Sequence, residues 1–474
     1  MNIKRRTKIV CTIGPASGSP SVIEGLIRAG MDVARLNFSH GTYEDHLGYI
    51  EAIRRASEKL GMPVAILQDL PGPKMRIGKF KEDPVHLEEG AQFVITARRI
   101  VGDAHGVSAI VPNLSRSVKP GDAIVLGDGE IELEVIGVEE SDVVCRVVSG
   151  GELRSHKGIT LPGVALDVPA VTDQDVRDLL FGLAQGVDYV AVSFVRDRED
   201  ILRAREVLRK KHADVPIIAK IEKREAWKNL DRIIEVSDGV MVARGDLGLE
   251  IPIQKVPLAQ KEIIQKCNRA GKPVITATQM LDSMVNSPVP TRAEVTDVAN
   301  AIFDGTDALM LSNETAIGRY PLKAVRMMAQ IAVETEAALP YRERLSDRAE
   351  DLEPQPDDAI SYAACHVAHQ LGAVAIVAFT TSGSTARRVS KYRPAVPLLA
   401  KVADARVKRR TLLYWGVYPY EGPAPATVDE LFDQAVELSV ETGVARRGDL
   451  IVITAGTPLA TPGTTNLLKV ERIP

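Results

Sequence analysis

Eight short apolar, β-branched runs, separated by stretches of helical period and by one long insertion, constrain this chain more than any other feature. The runs are Lys8–Ile13, Asp32–Leu36, Val64–Gln68, Asp188–Val192, Ile217–Ile221, Gly239–Val242, Val274–Ala277 and Ala308–Leu311. Amphipathic patterns lie between them, at Ser21–Ala29, Tyr43–Leu60, Asp173–Gln185, Arg198–Lys211 and Leu258–Ala270. Ser21 and Thr172-Asp173 are N-cap types, and Gly30, Gly61, Gly186 and Gly271 follow the predicted helix ends. Strand–helix alternation with such punctuation predicts parallel βα units, and eight of them predict a (β/α)8 barrel. The barrel is discontinuous, over 1–70 and 168–340, and beyond the βα unit itself the sequence shows no closer repeat.

Residues 71–167 differ in character. They are dense in Val, Ile and Gly, with turn signals at Gly102-Asp103, Lys119-Pro120-Gly121-Asp122, Gly127-Asp128-Gly129 and Ser149-Gly150-Gly151, and almost without helical periodicity. This predicts a small β-barrel domain growing from a barrel loop as a lid. Pro340–Asp358 is polar, charged and Pro-bearing, and reads as a linker or a surface helix end. From 341 to 474 a further α/β domain is expected, with a helix over Ala359–Leu371, a strand over Val374–Phe379, a helix over Ala386–Tyr392 and a strand over Val396–Ala400.

Composition excludes several functions. With 59 Lys+Arg against 63 Asp+Glu the net charge is -4, so a basic field for nucleic acid is absent, and 4% aromatic residues make poor stacking platforms. No stretch approaches the roughly 20 apolar residues of a spanning helix, and no membrane partner is expected. The apolar run Ile9–Ile13 is too short for a signal peptide core and reads as the first strand. Cys11, Cys145, Cys267 and Cys365 lack CxxC spacing and read as buried thiols of a cytoplasmic protein.

In such barrels the chemistry sits at the C-terminal strand ends. There the sequence presents Arg35-Leu36-Asn37-Phe38-Ser39-His40, Gln68-Asp69, Lys220-Ile221-Glu222, Arg244-Gly245-Asp246, Thr276-Ala277-Thr278-Gln279 and Ser312-Asn313-Glu314. Lys220 and Glu222, two apart, face one side of a strand. A structural ion pair is the plain alternative to a functional lysine. Glu222 and Asp246 offer two hard oxygen ligands, which suits Mg²⁺ or Mn²⁺ better than Zn²⁺. The run Ala243–Gly248 offers backbone N–H groups to a small carboxylate or phosphate, and the Arg35 fork matches a phosphoryl group. For His40 a hydrogen-bonded structural role competes with a site role. GxxxxGK[ST], strand–GxGxxG–helix and DFG motifs are missing. The residues alone thus indicate a divalent-cation barrel enzyme for a small phosphorylated carboxylate.

The strings KIVCTIGPAS, MDVARLNFSHG, IIAKIEK, GVMVARGDLG, VITATQML, PTRAEVTDVANAI and LSNETAIG, in this order, closely resemble pyruvate kinases. The resemblance spans essentially the whole chain and implies phosphoryl transfer from phosphoenolpyruvate to ADP, giving pyruvate and ATP. It implies that Arg35 grips the phosphoryl group and that Lys220 neutralises it and the enolate. Glu222 and Asp246 would hold the cation, and the Gly245 and Asp246 N–H groups with Thr278 the substrate carboxylate. Thr278, Ser312 and an ordered water would pass a proton to enolpyruvate, while Asn37, His40, Arg76, Asp128 and Lys157 face the nucleotide. It further implies a homotetramer, with Pro290-Thr291-Arg292 near an inter-barrel contact.

Two departures modify the expectation. Pyruvate kinases that need K⁺ carry a Glu where this chain has Lys74, in a region with Asn37, Ser39, Asp69 and the Leu70 carbonyl. A tethered ammonium would replace the ion, so K⁺ is not expected to be required. Members activated by fructose 1,6-bisphosphate often carry Lys where this chain has Thr381. The loop Thr380-Thr381-Ser382-Gly383-Ser384-Thr385 is then expected to take the phosphate of a sugar monophosphate or AMP, an ordinary capping loop being the alternative. Two other functions compete: a carbon–carbon lyase acting on phosphoenolpyruvate or pyruvate, which needs no nucleotide lid, and a catalytically dead metabolite sensor, which would have lost Lys220 or a metal carboxylate.

Overall fold

The computed structural model describes residues 5–474 apart from 74, 128, 165–167, 460 and 462. Eight parallel strands close into a barrel in chain order: Lys8–Ile13, Val33–Asn37, Ala65–Asp69, Tyr189–Val192, Ile217–Ile221, Gly239–Ala243, Val274–Ala277 and Ala308–Leu311. The first strand closes the ring by pairing with both the second and the last. These strands read as continuous apolar runs because one face meets the barrel interior and the other meets the outer helices. The first helix, Pro20–Ala29, begins earlier than its pattern suggests. Ser19, not Ser21, occupies the cap, because Pro20 suits a first turn whose N–H has no helical partner.

The barrel floor carries a repeat that the sequence reading missed. Asp32, Asp188, Asp238 and Asp307 each directly precede an even-numbered strand. Each accepts the N–H of the neighbouring odd strand: Ile9, Ile66 and Ile217 at 2.8 Å, and Val274 at 3.0 Å. Each also binds arginine: Arg5 on Asp32, Arg54 and Arg409 on Asp188, Arg205 on Asp238, and Arg393 on Asp307. The period is two βα units, and unequal helices and the long insertion hide it from any fixed spacing along the chain.

The inserted segment holds a seven-stranded sheet, in the order Ile159–Thr160, Ala123–Leu126, Ile131–Glu139, Asp142–Ser149, Gln92–Thr96, Gly106–Ile110 and Arg76–Ile77. Its edges meet through one bridge, Arg76 to Gly158, which rolls the sheet towards a barrel. Its apolar cluster, with Phe80, Phe93 and Leu133 at the centre, draws only on the insertion.

The C-terminal sheet runs in the order Val417–Glu421, Leu398–Val402, Ala375–Phe379, Leu450–Ala455 and Leu467–Arg472, the last antiparallel. It docks on the barrel floor, where Leu412 and Leu413 join the cluster that fills the barrel interior. Arg393 gives Asp307 two hydrogen bonds, at 2.6 and 2.8 Å, and Arg409 reaches Asp188 at 2.7 Å. Of the two readings of Pro340–Asp358, linker or surface helix end, the helical one holds over Tyr341–Asp347 and Arg348–Asp351, and Asp358 is buried against Lys391 and Tyr392. Arg342, Glu343, Asp347 and Glu350 stay exposed, whereas Asp357 and Asp358 are paired with Arg388 and Lys391 of the C-terminal domain. Among the described residues no helix is long and apolar enough to cross a membrane.

Candidate active site

The C-terminal strand ends and the lid enclose a cleft of about 420 Å³. Arg35, Asn37, Ser39, His40, Lys220, Glu222 and Asp246 line it from the barrel, and Arg76 and Lys157 from the lid. Residues from the ends of three strands thus converge, as the rim pattern in the sequence suggested. Lys74 and Asp128 lie outside the described residues.

Asp69, at the end of the third strand, organises the cations. Its carboxylate accepts Arg35 Nε at 2.6 Å on one oxygen and Lys220 Nζ at 3.1 Å on the other. Lys220 Nζ also meets Glu222 Oε1 at 2.8 Å and donates to Ser193 Oγ at 2.7 Å, while Arg35 Nη1 donates to Thr12 Oγ1 at 2.9 Å. Burial pushes Asp69 up, yet Lys220 and Arg35 hold it below the usual carboxylate range. Burial pulls Lys220 down, yet Asp69 and Glu222, with Asp246 adding less, hold it above its ordinary value. Lys220 is therefore a fixed positive charge near neutral pH and not a base.

Glu222 is fixed on its other side by the Phe194 N–H, 2.8 Å from Oε2. Phe194 adopts the left-handed region with φ 55°, a conformation that costs a non-glycine residue about 1–3 kcal/mol and so marks a constrained position. Asn37 Oδ1 accepts the Ser39 N–H at 3.1 Å, and the Leu70 carbonyl accepts the Ser193 hydroxyl at 2.7 Å. The His40 carbonyl accepts His46 Nε2 at 3.0 Å, so the backbone of His40 is anchored while its side chain lines the cleft.

Thr278, also left-handed at φ 69°, accepts the Gly245 N–H at 2.8 Å on its hydroxyl and donates that hydroxyl to the Ala277 carbonyl at 2.6 Å. Arg244 grips the same segment, reaching the Thr278 carbonyl at 2.7 Å and Asp297 at 2.7 Å. Ser312 Oγ is buried without a protein partner, while its N–H and that of Leu281 are tied by Glu314. On the lid, Lys157 pairs with Glu130 at 3.1 Å and Arg76 donates to the His156 carbonyl at 2.8 Å.

Thr12, Ser193, Phe194, Arg244 and Glu314 had no role in the sequence reading. Ser193 and Phe194 directly follow the fourth strand, so the rim rule applied there would have found them. Arg244 and Glu314 stood in the rim strings, but nothing in sequence says which neighbour a rim charge holds.

Far from this cleft, Thr380, Thr381, Ser384, Thr385 and Lys401 line a smaller cavity of about 70 Å³ in the C-terminal domain. Gly383 N–H donates to Thr380 Oγ1 at 2.9 Å, and Ser382 Oγ donates to Ser384 Oγ at 3.1 Å. Thr385 Oγ1 and Thr465 Oγ1 lie 2.9 Å apart.

Comparison with known proteins agrees with this geometry. The pyruvate kinase barrel-domain model matches residues 4–325, and the pyruvate kinase alpha/beta-domain model matches residues 358–471. A pyruvate kinase of Geobacillus stearothermophilus is 50% identical over 474 residues, covering 99% of this chain and 81% of that protein. One from Staphylococcus aureus (strain MRSA252) is 48% identical over 471 residues, covering 99% and 80%. The crystal structure of a pyruvate kinase from Cryptosporidium parvum superimposes with a TM-score of 0.94 at 36% identity, covering 99% of this chain and 97% of that one. The chain belongs to the pyruvate kinase family.

Proposed function

We propose a division of labour for the family's reaction, phosphoryl transfer from phosphoenolpyruvate to ADP, over three units at 1–70 with 168–340, 71–167 and 341–474. The observation that carries it is the buried Arg35–Asp69–Lys220 arrangement, two cations held side by side in the cleft opposite carboxylates. A loose phosphoryl-transfer transition state needs positioning and charge neutralisation more than covalent help. Arg35 grips the phosphoryl oxygens, and Lys220 neutralises them and the enolate left when the bridging P–O bond breaks and phosphorus passes to an ADP oxygen. The substrate carboxylate sits on the Gly245 and Asp246 N–H groups, exchanging the Thr278 hydroxyl as the acceptor on Gly245. The unpartnered Ser312 hydroxyl supports a Thr278–Ser312–water route for the proton that ends on enolpyruvate carbon. Asn37, His40, Arg76, Asp128 and Lys157 receive the nucleotide, and the lid keeps water from the phosphoryl group.

The family generally needs Mg²⁺ and K⁺. Among the described residues no group of three or more His, Cys, Asp or Glu forms a ligand cluster. Two carboxylates in one cleft nevertheless fit Mg²⁺ or Mn²⁺, because Mg²⁺ characteristically takes one or two protein carboxylates and fills its shell with phosphate and water. Glu222 and Asp246 would hold the ion, which supplies neutralisation of phosphate charge. For K⁺, Lys74 five residues beyond Asp69 takes the role of the ion. A coupled assay of pyruvate release tests both readings. Release that requires ADP separates the enzyme from a carbon–carbon lyase, and full activity is expected in tetramethylammonium buffer with little gain on adding K⁺. Lys74→Glu should lose activity without K⁺ and regain part of it with K⁺. Strong K⁺ activation of the unaltered enzyme contradicts the role of Lys74.

In the C-terminal domain, Lys401 beside the hydroxyls of Thr380–Thr385 supports a phosphate site. Activation by a sugar monophosphate or AMP is expected, and replacing Ser382 and Thr385 by bulky residues should abolish it. A response to fructose 1,6-bisphosphate alone contradicts this reading. Exposed Val289, directly before Pro290-Thr291-Arg292, supports barrel association within a homotetramer, which sedimentation equilibrium reads directly. The four cysteines are buried with free thiols, which supports a reducing cytoplasm and is tested by fractionation.

A further inference from the structure

Three helices begin with the same local device, a capping box in which a Thr hydroxyl and an acidic side chain three residues on satisfy each other's backbone N–H groups: Thr42–Asp45, Thr172–Asp175 and Thr291–Glu294. In the first box the carboxylate sits at the surface, and its hydrogen bonds to Thr42 hold it below the usual carboxylate range. Asp175 is entirely buried, and burial pushes it up despite the same local bonds. A helix cap works as well in water, so capping alone does not account for a carboxylate buried at a cost.

The second contact of Asp175 does. Its Oδ2 accepts the Thr172 N–H at 2.7 Å, and its Oδ1 accepts the Gly72 N–H at 2.8 Å. Gly72 lies where the chain leaves the barrel for the lid, and Thr172 where it has just returned. One carboxylate therefore ties both crossings to the helix Asp173–Ala184, which is itself fixed to the barrel by the Gln68 amide on the Asp178 carbonyl at 2.6 Å. Gly72 has φ 65°, and a Cβ there would lie 2.7 Å from the Phe194 ring, so this crossing has a conformation and a seat that tolerate no other residue.

We propose that Asp175 is a positioning residue for the reaction: it sets the seat of the lid on the barrel, and so the place of Arg76 and Lys157 over the nucleotide. The inference rests on the reading of the lid as the nucleotide cover. Asp175→Glu keeps an acceptor suited to a capping box but moves the carboxylate a methylene away from Gly72. Asp175→Asn keeps the shape, but its single carbonyl oxygen serves one crossing and not both. Thr172→Ala weakens the cap and leaves the Gly72 bond.

Spin labels at Val138→Cys on the lid and Glu58→Cys on the barrel measure the seat by pulsed electron resonance, the native thiols being buried. Both Asp175 variants should shift or broaden that distance and raise KM for ADP at least about five-fold, since a misplacement of about 1 Å can cost up to ~100-fold. KM for phosphoenolpyruvate should stay within about two-fold, because its contacts belong to the barrel. Thr172→Ala should lower Tm and leave the distance and KM for ADP unchanged. An unchanged distance in both Asp175 variants overturns the proposal, as does an equal rise of KM for ADP in Thr172→Ala. If Arg76→Ala and Lys157→Ala leave KM for ADP alone, the lid reading itself fails, and the label distance still decides the role of Asp175.

Discussion

Replacing Lys220 by alanine is expected to cut turnover by at least roughly 10²–10³-fold, the loss typical of removing one preorganised group that stabilises transition-state charge. The expectation is at the upper end or beyond, because Lys220 is a full charge in a buried site and is held protonated by Asp69 and Glu222. The same pairing makes alanine a severe change, since Asp69 and Glu222 then lose a buried partner, a loss of roughly 3–5 kcal/mol in comparable cases. Circular dichroism must therefore show that the variant is folded. Lys220→Arg provides the independent arm. It keeps the charge the carboxylates require, but its planar fork cannot put a compact ammonium between Asp69, Glu222 and Ser193, so turnover should still fall at least about ten-fold. A folded alanine variant with more than a tenth of normal turnover would remove Lys220 from the centre of the reaction.

Excising residues 72–167 and joining the ends with a linker of about four residues should leave a folded barrel that makes no ATP. Two observations favour folding. The apolar cluster of the lid draws only on the insertion, and the main barrel cluster draws on no residue of it. Asp175 also holds the two crossings close together, so a short linker spans them. Trp227 and Trp415 both lie outside the lid, so native-like tryptophan emission reports the remaining fold. Loss of ATP formation follows because Arg76 and Lys157 leave with the lid, and because the cleft opens to water that competes for the phosphoryl group. An excised protein that phosphorylates ADP at a near-normal rate refutes the role of the lid. A protein that unfolds refutes the independence of the two cores.

Several elements were legible in the sequence because their causes are local or periodic. The strands Lys8–Ile13, Ile217–Ile221, Val274–Ala277 and Ala308–Leu311 have the predicted limits, since a strand buried on both faces must be an unbroken apolar run ended by a polar rim residue. The helix Tyr43–Leu60 was marked by its period and by Gly61 at its end, and the Thr42 cap at its start is equally local. Most candidate site residues were legible for the same reason: a barrel has one catalytic rim, so the residue after each strand is brought to it whatever the loops do.

What sequence left undetermined was pairing between elements. Asp69 looked like one rim carboxylate among several, and only the closed barrel sets it between Arg35 and Lys220. Asp307 and Arg393 are far apart in the chain and unremarkable in it, yet they seat the C-terminal domain on the barrel floor. Asp175 read as part of a helix start until the lid crossing came within hydrogen-bond reach. Strand order, helix limits and the catalytic rim follow from periodicity and caps, which act over a few residues and are written in the chain. Which carboxylate holds which cation depends on distances of about 3 Å between segments remote in sequence, and only the folded barrel brings those groups within the range where a buried charge finds its partner.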